Sequence, residues 1–200
     1  KHEDVEYYFN WVRDIAEGAE KMTRTKLSVQ IDTDCHELIQ NTPLSELLHE
    51  NLTRIGPPKF NDEERAFARR IQQPLVDEFG TTFPQAIAGE IKTLEESLKP
   101  SKGSTDVGDI SWYVPTGGIR TTCMAAESPG HSWQNVACIG STIGEKGIDY
   151  AARVLAISAL DLLENPELVL AAKADWKQRM ADRKYTSLIP KGQKPPVKIR

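Results

Sequence analysis

Only three cysteines occur in 200 residues, and that scarcity rules something out. Cys35, Cys123 and Cys138 are odd in number and far apart, which fits neither a disulfide framework nor a structural zinc knuckle. A reducing cytoplasm is therefore the expected compartment, and no signal-peptide pattern opens the chain to oppose that expectation. Long apolar runs are missing as well. The longest, Tyr150 to Leu163, is interrupted by Arg153, Ser158 and Asp161 and is too short to span a membrane. There is no excess of positive charge: a formal net charge of -4 and a pI near 5.7 give no field for a phosphate backbone and argue against nucleic acid as the principal partner. Gly103-Ser104-Thr105 is followed by neither the lysine of a P-loop nor the G-x-G-x-x-G spacing of a dinucleotide site. Internal repeats and low-complexity segments are also absent.

What is present is one crowded stretch, from Gly103 to Gly147, where glycines, tryptophans and polar groups capable of chemistry gather between two helical patterns. Asp106 and Asp109 lie in a Gly-rich turn, Ile119 to Ala125 reads as a short buried strand, and His131 follows Pro129-Gly130 in a loop leading to a long Ala/Leu helix. Loop, strand, His loop and helix in that order point to an α/β layer with its chemistry on strand-to-helix connections.

Elsewhere, periodicity sets the expected elements. Val5, Tyr8, Phe9, Val12, Ile15, Ala16, Ala19 and Met22 recur at helical spacing between Glu3 and Met22, so that helix should bury one stripe. Leu27, Val29 and Ile31 then alternate with polar residues, the pattern of a strand with one buried face. Thr42 caps a helix with Pro43 in its first turn, carrying Leu44, Leu47, Leu48, Leu52 and Ile55 and ending at Gly56-Pro57-Pro58. Asn61 and Glu64 have capping-box spacing and open a helix expected to end or kink before Pro74. Asp77 to Lys102 is weakly patterned. A long helix covers Ile148 to Leu162, another starts at Pro166 and runs to about Arg183, and Ser187 to Arg200 reads as irregular.

His131 is the leading candidate for chemistry, because an imidazole in a Pro-Gly-His-Ser-Trp loop is exposed enough to ligate a metal and steadied by a bulky neighbour. The alternative is a loop histidine bonded to backbone. His2, His36 and His49 rank below it, His49 for lying on a helix beside Leu48 and His2 for its place near the terminus. Asp106 and Asp109 can orient a metal ligand or a substrate amine, or serve as turn and cap groups. Trp112 and Trp133 can wall a pocket for an aromatic substrate or belong to the core. No cysteine has a histidine at motif spacing for thiol catalysis.

GSTDVGDISWYVP, then PGHSWQNVACIGSTIGEKG, then AARVLAISALDLL resembles the C-terminal half of the zinc amidohydrolases of aminobenzoyl-glutamate utilisation, relatives of aminoacylases and glutamate carboxypeptidases. The likeness extends to KHEDVEYYFNWVRDIAEGAEKMTRTKL and NTPLSELLHENLTRIGPP and covers nearly the whole chain. It implies an α/β, three-layer zinc-peptidase-like catalytic domain, of which residues 42–200 are the C-terminal part, and a ferredoxin-like α+β lid and dimerisation domain, of which residues 1–41 are the C-terminal part. It further implies that His131 ligates one ion of a two-metal centre, zinc or another divalent metal such as manganese, with Ser104, Thr105, Asp106 and Asp109 in the loop lining the site. The remaining ligands and the glutamate general base would belong to an N-terminal half that this sequence does not contain. The implied substrate is a small N-acyl amino acid such as p-aminobenzoyl-glutamate, and the implied assembly a homodimer through the lid. A non-catalytic dimerisation or interaction module is the competing reading.

Overall fold

Eight helices and no strand make up the secondary structure of the described residues, 1–99 and 103–194, in the computed structural model of the protein. This corrects the expectation of a three-layer α/β domain with a ferredoxin-like lid. Leu27 to Ile31 and Ile119 to Ala125 both run as irregular chain. Alternation gives a segment a strand's two faces, but a strand exists only when a second segment completes its hydrogen-bond ladder. Among the described residues neither stretch has such a partner.

The chain forms two units. The first contains residues 1–40 and the described parts of 101–116 and 173–200; the second contains 41–99 and 117–172.

In the first unit, α1 (His2–Thr23) lies where the helical periodicity predicts it and ends at Arg24 in the left-handed conformation. Its expected buried stripe is not buried: Val5, Tyr8, Val12 and Ile15 are all at least half exposed. Residues 25–40 follow without regular structure, so side chains satisfy much of their backbone. Leu27 N–H donates to Glu20 Oε1 at 3.0 Å, Ile39 N–H to Ser111 Oγ at 2.8 Å, and Ile31 C=O accepts from Gln193 Nε2. Ser111 belongs to α5 (Val107–Ser111) and is fully buried. Trp112 Nε1 donates to Glu37 C=O at 2.9 Å and Trp176 Nε1 to Ser111 C=O at 2.8 Å. Each indole N–H thus finds a carbonyl, and Trp112 is buried besides.

The second unit is built on α2 (Thr42–Ile55), α3 (Asp62–Phe79), the short α4 (Leu94–Ser97), α6 (Trp133–Ile139), α7 (Thr142–Glu164) and the start of α8 (Pro166–Met180). The cap of α2 is Asn41, one residue before the expected Thr42. Its Oδ1 accepts from Leu44 N–H while its Nδ2 donates to Ala172 C=O at 2.8 Å. Asn61 and Glu64 form the expected capping box. Helix α3 does not stop at Pro74, however, and continues to Phe79. An interior proline costs about 3 kcal/mol, and this turn offsets it by burying Ile71, Gln72 and Leu75 together. Phe60, Ala68, Ile71, Ala86, Ile87, Ala125, Cys138 and Ile143 form the core cluster. Ala86 and Ile87 enter it from irregular chain. Residues 80–93 contain no helix, and residues 100–102 of that weakly patterned span lie outside the described residues. The expected irregular tail is irregular through 187–194; residues 195–200 lie outside the described part.

Candidate functional site

Asp34, His36 and Asp109 owe their positions to the irregular stretch before α2 and to the single turn of α5. Asp34 and His36 converge here, and the first turn of α1 brings His2 to them. His2 Nε2 stands 2.9 and 3.0 Å from the two Asp34 oxygens. The His2 and His36 rings stack at 3.8 Å between centroids with 7° between planes. Tyr185 stacks on His36, and Trp112 meets it edge-on at 4.7 Å. Asp109 Oδ1 takes the His36 Nδ1 bond at 2.9 Å. Gly108 is the residue that lets α5 approach: a Cβ there would run into the His36 carbonyl.

The cluster is dry. Side-chain exposure is 6 % for His2, 3 % for Asp34 and 1 % for His36. Burial pushes the Asp34 carboxyl up, but the Leu188 N–H at 2.7 Å and the His2 ring together outweigh it and hold the group below its ordinary value. Glu37, beside it, follows the same logic: burial raises it, while its own backbone N–H, that of His2 and the charge of Arg183 lower it further. Tyr185 is pushed up by burial and by the Asp109 carboxylate it bonds. One ligand atom each from His2, Asp34 and His36 lies within 4.8 Å of the others. Sequence reasoning placed His2 and His36 below His131. The available signal was the Asp-x-His spacing of residues 34 and 36.

His131 lies in the second unit, exposed, at the N-terminal approach to α6. The loop around it is pinned. Ser132 Oγ donates to Pro129 C=O at 2.7 Å and accepts from Asn135 N–H, while Asn135 Nδ2 donates to Gly130 C=O at 2.6 Å. Among the described residues no second or third His, Cys, Asp or Glu joins His131 in a ligand set. Trp133 is 57 % exposed. Ser104, Thr105 and Asp106 are exposed in the first unit, where Thr105 Oγ1 accepts from Val107 N–H. Asp106 stands at the N-cap position of α5 without a side-chain cap bond. Asp109 is engaged by His36, and Trp112 is buried against it.

Over 212 aligned residues the chain is 30 % identical to one of the subunits of the p-aminobenzoyl-glutamate hydrolase of Escherichia coli (strain K12), covering 96 % of this chain and 44 % of that protein. The chain is a partial homologue of this hydrolase component. It is also 28 % identical over 93 residues to Xaa-Arg dipeptidase of Homo sapiens, across 46 % of this chain and 21 % of that enzyme. The chain thus spans less than half the length of either relative. A hydrolase component and a dipeptidase together support a peptidase- or amidohydrolase-like family. No protein-family model matches the chain, and no solved structure gives a significant match. Among the described residues, no helix is long and apolar enough to cross a membrane.

Proposed function

We propose that the chain is part of a metal-dependent amidohydrolase that cleaves the amide bond of N-acyl amino acids, with aroyl-glutamates such as p-aminobenzoyl-glutamate as its substrate class. The observation that carries the reading is the 30 % identity sustained over 96 % of the chain. His131 is its metal ligand in this reading, supported by its exposure on a loop whose neighbours are held by hydrogen bonds. A bound pair of divalent ions, zinc or manganese, supplies a nucleophilic water and an oxyanion partner in such enzymes. A catalytic zinc takes about three protein ligands and an open position. Among the described residues no other His, Cys, Asp or Glu completes that set around His131. The reading places the other ligands and the general base in sequence beyond this chain.

What the chain's own residues do is position. The Ser132 and Asn135 bonds fix the backbone on both sides of His131, which limits the directions its ring can take. Trp133 offers an exposed aromatic face two residues on, suited to an aroyl group. Ser104, Thr105, Asp106 and Asp109 are the active-site loop in this reading. The homodimer belongs to the reading too, and sedimentation at several concentrations tests it.

The test is His131→Ala in the full-length protein, with metal per protomer measured beside turnover of p-aminobenzoyl-glutamate. Loss of one metal and of most activity with an unchanged circular dichroism spectrum is expected. Full metal content with undiminished turnover overturns the role. A non-catalytic dimerisation or interaction module is the alternative, favoured by the exposed apolar face of α1. It forecasts a full-length protein that binds its partner but hydrolyses none of these amides.

A further inference from the structure

We infer that His2, Asp34 and His36 form a binding site for one borderline divalent transition-metal ion of the zinc, cobalt or nickel kind. The site lies wholly in the first unit and does not include His131.

Three independent features converge on it. Two imidazoles and a carboxylate bring one ligand atom each to within 4.8 Å of the others. Tetrahedral zinc, with bonds of ~2.0–2.1 Å, sets its ligand atoms roughly 3.4 Å apart. The three ligand atoms therefore need to draw in by no more than about 1.5 Å, and one of the two stacked imidazoles must turn out of the stack so that both in-plane lone pairs point at the ion.

The second feature is His36 Nε2. It is buried without a hydrogen-bond partner among the described residues, in a side chain only 1 % exposed. A buried polar atom in that condition is costly. The other ring nitrogen is held by Asp109 at 2.9 Å. A carboxylate only accepts, so Nδ1 carries the hydrogen and Nε2 presents a lone pair. Carboxylate–histidine–metal chains have this form.

The third feature is how firmly the surroundings hold the ligands. Asp34 Oδ2 accepts from Leu188 N–H, the His2 backbone N–H donates to Glu37 Oε2 at 3.1 Å, and Tyr185 and Trp112 pack on the His36 ring. A purely structural His2–Asp34 hydrogen bond accounts for those two residues. It leaves His36 Nε2 without a role.

Ligand chemistry sets the ion. Two nitrogens and one oxygen suit zinc, cobalt and nickel, whereas magnesium and calcium prefer oxygen throughout. On binding, the His2 hydrogen shifts from Nε2 to Nδ1 so that Nε2 gives its lone pair to the ion, and a water completes the sphere. The start of α1 is then tied to the stretch before α2 through metal bonds. An ion that binds only the folded chain stabilises it in proportion to its concentration.

The experiment uses the full chain stripped with EDTA. Calorimetric titration with zinc is expected to show one saturable equivalent, and cobalt to give a tetrahedral-type visible spectrum that zinc bleaches. His36→Gln and Asp34→Asn should weaken zinc at least tenfold, while magnesium at millimolar concentration should not compete. If those variants misfold, zinc K-edge absorption on the unaltered chain decides: two imidazole shells and no sulfur support the site, and a sulfur shell or a single imidazole overturns it. No saturable zinc binding, or binding indifferent to His2→Asn and His36→Gln, also overturns it. Zinc lost from His131→Ala alone refutes this site and leaves the catalytic reading standing. Zinc kept by His131→Ala and lost from His36→Gln supports it.

Discussion

Asp109 and His36, 73 residues apart in sequence, meet twice at one oxygen: Asp109 Oδ1 takes the imidazole Nδ1–H at 2.9 Å and the His36 backbone N–H at 3.2 Å. The two bonds fix both the backbone and the ring of His36. If that ring ligates a metal through Nε2, Asp109 is its positioning residue. Asp109→Ala should then lower zinc affinity by about 10–100-fold, the usual consequence of losing an outer-shell carboxylate. Asp109→Asn keeps an acceptor and should recover most of it. Competition against a colorimetric chelator measures both, and equal affinities for the unaltered chain and Asp109→Ala would refute the orienting role.

Helical periodicity located α1, α2, α3, α7 and α8 because a helix satisfies its own backbone, so local pattern suffices. The strands failed for the complementary reason. Leu27, Val29 and Ile31 alternate as a half-buried strand should, yet Val29 is 49 % exposed and no second segment completes a ladder among the described residues. Pairing depends on distant chain, which spacing alone does not encode. The same limit hid the metal-type cluster. Asp34 and His36 are near neighbours, but His2 joins from 32 residues away and Asp109 from 73. Pro74 is expected to end or kink a helix, and with Ile71, Gln72 and Leu75 buried around it α3 continues through it to Phe79.

Gln72 holds irregular chain to the core of the second unit. It is 1 % exposed, and its Nε2 donates to Gln85 C=O and to Ala126 C=O, both at 2.9 Å, while Arg69 bonds its Oε1. Gln72→Met preserves the volume but strips the Gln85 and Ala126 carbonyls of their donor. It should destabilise the unit by about 1–3 kcal/mol, and Gln72→Ala by more because a cavity is added. Urea unfolding compares them. A Gln72→Met protein as stable as the unaltered one would show that these carbonyls find other donors.

Among the three thiols, Cys138 is fully buried and raised by that burial, a shift that the Ala125 backbone bond only partly opposes. Cys35 and Cys123 are half-buried. Thiolate is the reactive form and access is the second requirement, so an alkylating reagent at neutral pH should modify Cys35 and Cys123 well before Cys138. Peptide mass spectrometry over a time course reads the order. Early modification of Cys138 in protein that retains its helical spectrum would contradict its burial.

Glu64 and Lys146 supply a dependence on pH whose sign is fixed. The Glu64 carboxylate, 6 % exposed, bonds Lys146 Nζ at 2.7 Å and Asn61 N–H at 2.7 Å. Burial pushes its pKa up, but the Lys146 bond, the Asn61 N–H and the Thr142 hydroxyl together bring it below the ordinary 4.5. A carboxyl depressed on folding stabilises the fold above its unfolded pKa, and that contribution is lost as pH falls through the folded value. The loss from this group should begin near pH 4.5 and grow below it. Lys146→Met removes the largest opposing partner, so Glu64 should titrate at higher pH and acid unfolding should begin earlier. At pH 7 the variant should lose about 1–2 kcal/mol, less than a fully buried pair because the lysine is partly in solvent. Thermal unfolding of both proteins from pH 7 to pH 3 should show their difference shrinking as Glu64 becomes protonated in each. A difference that stays constant across that range would mean that Lys146 acts through its packing over Phe60 rather than through the carboxylate.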